Sequence, residues 1–340
     1  MKLMCKRLAA AAGLGLALIS GAACAQGAKA ALAKVKPADF PTQPIEMTVV
    51  YPAGGGADLT ARLLAKTMED ITGNRILVNN RTGGAGMVGH AWLATQAPAD
   101  GYAIGMLVNL VWGDSMLRAQ GRWTHTDLEP VGYLNSDPMM WFVTNDGPFK
   151  GKTLKDIVQA AKDKPGTIRV ATVPGSMWDY SIEQVEKQND ARFLRVPFQS
   201  GGAGVVGLIG NNVDVALGFY AEAKPHMEAG KIRGVGVASP ERLSHAKDMP
   251  TLNEQLGGKD YLWTLLRFVV VPKKTPADRK AYIGAMVKAA MQQKSLRDEY
   301  AKLGVYFDPA LENAANITEA LNAEAERERA FYVKTGRLKP

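Results

Sequence analysis

The chain has 340 residues, 46% hydrophobic and 22% charged, a globular balance with enough length for about two domains. Its formal charge of +8 comes without a dense Lys/Arg stripe interleaved with aromatics, which excludes nucleic acid as a partner and leaves a mild attraction for small anions. Two cysteines, Cys5 and Cys24, and four scattered histidines, His90, His125, His226 and His245, give no thiolate nucleophile and no metal-ligand spacing, so neither a metal nor a cofactor is expected.

In chain order, Lys2, Lys6 and Arg7 precede an apolar run from Leu8 to Ile19, and Ala23-Cys24-Ala25 then forms an A-x-A site before Gln26. This reads as a secretory signal peptide over 1–25, which places the mature chain in the periplasm and removes both cysteines. Acylation of Cys24 as a lipoprotein is the weaker alternative, because Gly21 stands where an aliphatic residue is usual.

Short β-rich runs then alternate with helical patterns, predicting α/β lobes with mostly parallel sheets. Strands are expected over 45–51, 75–79, 102–107, 139–144, 168–172, 192–196, 213–217, 232–238 and 265–271. A helix is expected from Leu59 to Ile71 with Gly73 near its C-cap, and the stretch from Pro276 to Thr335 is mostly helical.

The first strand breaks into Pro52, Ala53, Gly54, Gly55 and Gly56, and a helix pattern starts near Asp58. Glycines there let a ligand reach the backbone, and the helix start offers unpaired N–H groups to an anion. Asp58 is assigned a helix N-terminal role rather than a ligand contact. The second strand runs into a similar loop, with Gly84, Ala85, Gly86, Met87 and Val88. Two more glycine-bearing strand ends follow, one with Gly175 and Ser176 and one with Phe198, Gln199, Ser200 and Gly201.

Enzymatic readings fare poorly. Gly84, Gly86 and Gly89 satisfy G-x-G-x-x-G, but the next strand leads into Asn109, with no acid at its end to hold a ribose. G-x-S-x-G and P-loop motifs are absent, and nothing assigns Ser176 a base.

The stretches YPAGGGADLTARLLA, NNRTGGAGMVGHAWLATQAPADGY, KGKTLKDIVQAAKDKPGTIRVA, VPFQSGGAGVVGLIGNNVDVALG and KTGRLKP resemble the substrate-binding proteins of tripartite tricarboxylate transporters, the Bug or TctC-like family. The resemblance covers nearly the whole mature chain. It implies a two-lobed periplasmic binding protein of type II, with a ligand cleft between lobes, that captures a carboxylate and delivers it to a membrane permease. The expected lobes are 26–138 with 243–340 and, between them, 139–242, with crossings near Asn135 to Trp141 and Ser239 to Met249. The protein is expected to be monomeric and not an enzyme; a periplasmic sensor subunit and an exported carboxylate enzyme are the rival classes.

Carried onto this chain, the family's site falls on Pro52 to Asp58 and Gly84 to Val88 in the first lobe. In the second it falls on Gly175, Ser176, Phe198, Gln199, Ser200 and Gly201. Departures bear on the ligand. Met177, Trp178 and Asp179 follow Ser176, and Gly218-Phe219, with Tyr220 next, replaces a common Asp-Asn pair, which disfavours a ligand amino group. Trp112, Trp178, Phe219 and Tyr220 favour a flat aromatic carboxylate. Arg267, in an apolar run, could pair with a second ligand carboxylate or form a structural ion pair.

Overall fold

The computed structural model describes residues 30–258 and 260–340, and the expected signal peptide lies outside them. Two units divide the chain: one comprises the residues up to Leu134 with Arg267–Tyr300 and Pro309–Pro340, the other Asn135–Leu266 with Ala301–Asp308.

The first unit is built on a five-stranded sheet in the order β2-β1-β3-β10-β4. Strand β1 (Ile45–Val49) pairs in parallel with β2 (Ile76–Asn80) and β3 (Ala103–Val108). Helix α1 (Gly56–Thr72) crosses from β1 to β2, burying Ala61, Leu64, Met68 and Ile71 on one stripe. It stops at Gly73, whose φ of 73° is a left-handed cap that a glycine adopts without strain, its N–H donating to the Glu69 carbonyl at 2.8 Å. Every residue of β3 is buried, as a central strand covered on both faces requires. A second helix, α2 (Met87–Thr95), leads from β2 towards β3.

Strand β4 (Leu128–Pro138) is an element that the residue pattern does not predict, because Pro130, Gly132 and Pro138 read as strand breakers. It forms at the end of the sheet order, where a missing proline donor is tolerated.

The second unit holds β5 (Met140–Thr144), α3 (Leu154–Asp163), β6 (Arg169–Thr172), α4 (Met177–Asn189), β7 (Leu194–Pro197) and α5 (Gly201–Ile209). They are followed by β8 (Ala216–Gly218), α6 (Tyr220–Glu228) and β9 (Ile232–Val237). Strand β5 runs antiparallel to both β8 and β9, β6 pairs in parallel with β7, and a parallel bridge from Val170 to Val215 links β6 to the run before β8. One reversed strand among parallel ones is the counterpart of β10 (Thr264–Pro272) in the first unit, which runs antiparallel to β3.

Ser239 to Met249 lies within the second unit, and the first unit resumes at Arg267. Helix α7 (Leu252–Leu256) stays with the second unit because Gln255 donates to the Val235 carbonyl at 2.7 Å and accepts from the Leu154 N–H at 2.9 Å. Past β10 the expected helices follow, α8 (Ala277–Met291), α9 (Lys294–Lys302) and α10 (Ile317–Lys334), and α8 packs on α1. No described helix is long and apolar enough to cross a membrane.

Candidate functional site

In the first unit, Gly54 has φ 79°, which aims its N–H at Asp58 Oδ2, 2.9 Å away. Asp58 is 2% exposed and fully committed: Arg62 Nε donates to Oδ2 at 2.9 Å and Asn80 Nδ2 donates to Oδ1 at 2.9 Å. Burial pushes the carboxyl up, but the hydrogen bonds from Arg62, Gly54 and Asn80 outweigh it and hold the pKa at about 2. Asn80 also donates to the Tyr51 carbonyl at 3.0 Å, so β2 fixes both ends of the loop. Pro52, Ala53, Gly54, Gly55 and Gly56 are exposed, and the N–H groups of Gly56 and Ala57 open α1, where no intrahelical acceptor exists for them. A Cβ on Gly55 would lie 3.3 Å from the Pro52 carbonyl, which leaves a β-branched side chain little room.

The second glycine loop adjoins the first. Arg81 donates its N–H to the Val49 carbonyl at 2.8 Å, and a Cβ on Gly86 would lie 3.3 Å from Val50 Cγ2 and 3.1 Å from His90 Cε1. Gly84 and Gly86 have φ of 55° and 103°, so the turn that precedes α2 depends on glycine. Behind it, buried His90 shares a 3.0 Å hydrogen bond between Nδ1 and Asp114 Oδ2. Arg118 donates to Asp114 Oδ1 at 2.7 Å and to the Gly84 carbonyl at 2.8 Å, clamping the loop from below. The Gly86 and Val88 N–H groups are spent on the Gly83 carbonyl, while the Val88 side chain is 52% exposed and Met87 is half-buried.

Besides Arg62, a buried cation lies at the first loop. Arg267, buried on β10, brings Nη2 to 3.4 Å from where a Cβ on Gly56 would stand. The same guanidinium acts on two phenols: burial pushes the Tyr51 and Tyr300 hydroxyls up and Arg267 draws both down, with Asp114 opposing it at Tyr51. The Tyr51 hydroxyl is buried with no hydrogen-bond partner among the described residues, and sequence reading gave it no role.

Of the other first-unit residues singled out, Asn109 precedes the short helix Leu110–Gly113, its side chain making no cap bond to that helix. Trp112 is 3% exposed and stacked on Phe268 at 5.6 Å, because the turn after β3 directs the indole inward.

The second unit repeats the loop device. Gly175, with φ 67°, donates its N–H to Asp179 Oδ2 at 3.3 Å, and Asp179 Oδ1 accepts from Thr172 at 3.2 Å and Arg195 at 2.8 Å. Ser176 Oγ donates to the Val173 carbonyl at 2.5 Å. Ser200 caps α5, accepting from the Ala203 N–H at 3.2 Å, with Gln199 exposed beside it. Trp178 lies edge-on to Phe219, ring centroids 5.4 Å apart, and Nε1 donates to the Leu217 carbonyl at 3.2 Å. Phe198 and Tyr220 both pack on neighbours in this unit. The Phe198 ring fills the space over Gly207, where a Cβ would lie 2.5 Å from Cζ. Tyr220 packs against His245 at 4.4 Å between centroids and against the Gly304 backbone.

Surface depressions beside Asp70 and Tyr282 and beside Lys155 and Asn189 contain none of these loops. Among the described residues no three His, Cys, Asp or Glu side chains gather as metal ligands. The arrangement is therefore one of backbone donors, one buried cation and aromatic edges.

Comparison with known proteins agrees with this chemistry. BugT of Bordetella pertussis is 29% identical over 269 residues, covering 78% of this chain and 81% of that protein. The solved structure of the periplasmic binding protein BugD matches with a TM-score of 0.71 at 25% identity, over 88% of this chain and 100% of that one. MatC from Rhodopseudomonas palustris, solved with bound malate, shares the fold with a TM-score of 0.71 at 22% identity, over 86% of this chain and 99% of that one. The fold is thus that of two-lobed periplasmic binding proteins. The family model for the tripartite tricarboxylate transporter family receptor, TctC, matches residues 60–336, and the chain belongs to that family.

Proposed function

We propose that this protein is a carboxylate receptor that passes its ligand to a membrane permease of the tripartite tricarboxylate type. Family membership supports a solute-binding protein rather than an enzyme, and malate in MatC is an example of a small carboxylate held on this fold. The observation that carries the reading for this chain is Arg267 beside Gly56, a buried guanidinium at the mouth of a helix whose first N–H groups lack intrahelical acceptors. A carboxylate there receives charge-assisted hydrogen bonds from the arginine and backbone donors from Gly56 and Ala57. In this reading Arg267 serves the first unit's carboxylate rather than a second one.

Asp58 does not repel that ligand at short range, because its charge is taken up by Arg62, Asn80 and the Gly54 N–H. Water exclusion around the bound carboxylate strengthens these hydrogen bonds.

A thermal-shift screen of the chain from Gln26 tests the reading, using aliphatic di- and tricarboxylates, aromatic mono- and dicarboxylates, amino-carboxylates and nucleotides. At a hundredfold excess over Kd a ligand stabilises by about 2.7 kcal/mol. One carboxylate class is expected to shift the melting temperature and to be recovered chemically unchanged. Shifts with nucleotides alone, or turnover of the carboxylate, overturn the proposal.

A further inference from the structure

A cluster of charged side chains in the first unit lies behind the Gly84 loop and takes no part in the reading above. Its centre is Asp114, 6% exposed, whose Oδ2 is hydrogen-bonded to His90 Nδ1 at 3.0 Å and whose Oδ1 accepts from Arg118 at 2.7 Å. Arg118 also donates to the Gly84 carbonyl at 2.8 Å, so Asp114 and the loop hang on one guanidinium. On its other side Asp114 has an acid. Helix α10 packs on the short helix Leu110–Gly113, and a Cβ on Gly113 would lie 2.7 Å from Tyr332 Oη and 3.3 Å from Glu328 Oε1. Glycine at 113 therefore admits a carboxyl group against the backbone that leads into Asp114. Tyr332 Oη donates to Glu328 Oε1 at 2.5 Å, and no cation among the described residues pairs with that carboxyl.

The groups that face Glu328 are thus Tyr332 on its own helix and Asp114 across Gly113, with His90 of α2 and Arg118 behind Asp114; Glu326, two residues earlier, acts on His125 instead. Burial pushes the Glu328 carboxyl up, the Tyr332 bond draws it down, and Asp114 adds to the upward push, which leaves it at about 7. The charge of Asp114 is felt in the other direction too: it pushes the Tyr51 hydroxyl up at the root of the first loop, where Arg267 and Arg118 draw it down. Ionising Glu328 puts a second negative charge at Gly113. Repulsion between the two carboxylates loosens the seat of Asp114, and with it the Arg118 bond to Gly84, while an anion at either loop meets a more negative field. Reciprocally, a bound anion makes the Glu328 proton harder to remove.

We propose that Glu328 is a proton switch for the loops of the first unit: with its proton the Gly84 loop is held and a carboxylate binds, and loss of the proton weakens that binding. The ligand half of this inference rests on the carboxylate-receptor reading; the loop half stands without it.

Two readouts test it. In proton–nitrogen NMR spectra the Gly84 and Gly86 amide signals are expected to shift with pH, with a midpoint near 7, and to lose that titration in Glu328→Gln, which mimics the protonated acid at every pH. Tyr332→Phe removes the bond that draws the carboxyl down, so it should move the midpoint up rather than abolish it. Calorimetry with succinate, adipate and benzoate supplies the second readout, since their carboxyls are ionised at about pH 6.5 and above. The wild-type protein is expected to bind at least one of them threefold or more weakly at pH 8.5 than at pH 6.5 and to take up protons on binding near pH 7, seen as a dependence of the heat on the buffer. Glu328→Gln is expected to bind the same probe equally at both pH values. Amide signals that do not titrate, a titration or a pH-dependent affinity that persists in Glu328→Gln, or a wild-type affinity equal at the two pH values overturns the switch and leaves the receptor reading intact. If none of the three probes binds, the amide titration decides the switch. Failure of every carboxylate in the wider screen overturns the receptor reading and the ligand half of the switch together.

Discussion

The loop from Gly54 to Asp58 and the loop from Gly175 to Asp179 solve one problem with one device. Each starts at a glycine in the left-handed region whose N–H donates to an aspartate four residues on, and each aspartate is held by an arginine. They differ in how deeply the lock is set. The Asp58 side chain is 3% exposed and the Asp179 side chain 19%, and the glycine bonds measure 2.9 and 3.3 Å. They also differ in the charge beside them. Arg267 stands at the helix that follows the first loop, while Glu222 stands against Gly201 and Trp178 near the second. A shared backbone frame can therefore carry opposite charges beside it.

The largest expected effect tests the depth of the locks. Asp58→Ala strips the partner from Arg62 and leaves the Gly54 N–H and Asn80 without their acceptor, which should cost about 3 kcal/mol of stability. Asp179→Ala, in a wetter setting, should cost about 1 kcal/mol. Urea denaturation of the two variants decides the point, and equal losses would remove the distinction drawn between the loops.

Charge comes next. Arg267→Met should weaken carboxylate binding by roughly 30- to 300-fold, the range for removing a charge-assisted bond in a desolvated setting. Calorimetry on the variant reads this directly, and an unchanged Kd would detach Arg267 from the ligand.

The first unit carries a further burden. Glu328, hydrogen-bonded by Tyr332, is pushed up to about 7 by burial, which outweighs that bond and is reinforced by the charge of Asp114 behind the Gly84 loop. The folded protein thus binds this proton more tightly than the unfolded chain does. Stability is fully present below about pH 4.5 and is lost as pH rises towards 7 and beyond. Glu328→Gln should therefore stabilise by about 1–3 kcal/mol at pH 8 and by nothing at pH 4, a difference that thermal denaturation at the two pH values measures.

Asp58 has the opposite sign. Its pKa is lowered from 3.8 to about 2, so the stability it contributes is present above about pH 3.8 and is lost as pH falls through 2. Acid titration followed by circular dichroism should show about 1–2 kcal/mol of pH-dependent stability in this window that is missing in Asp58→Asn. The smallest effect belongs to the second unit: Ser200→Ala removes the acceptor for the Ala203 N–H and should cost about 0.5–1 kcal/mol, read from the same denaturation curves.

Much of this was legible in the residues. Glycines directly after β-branched runs and before helical periodicity mark strand ends that meet helix starts, and all four such loops lie where that pattern puts them. Asp58 was legible as a helix-start residue because spacing along one helix fixes its neighbours. Strand β4 was not, since Pro130 and Gly132 carry breaker signals that only an edge position cancels. Trp112 and Tyr220 illustrate the same limit for side chains: an aromatic near a strand end has the same sequence signature whether it stacks on Phe268, packs on His245 or faces a ligand.

The sequence by itself determined the family, the alternating α/β order and the glycine loops, because these follow from local periodicity, backbone freedom and ordered motifs. The tertiary structure alone decided the charges beside those loops. Arg267 reaches Gly56, and Arg195 reaches Asp179, across separations in sequence that no local pattern encodes. Glu222 meets Gly201 only because α6 and α5 pack together, so packing decides which charge stands beside each loop.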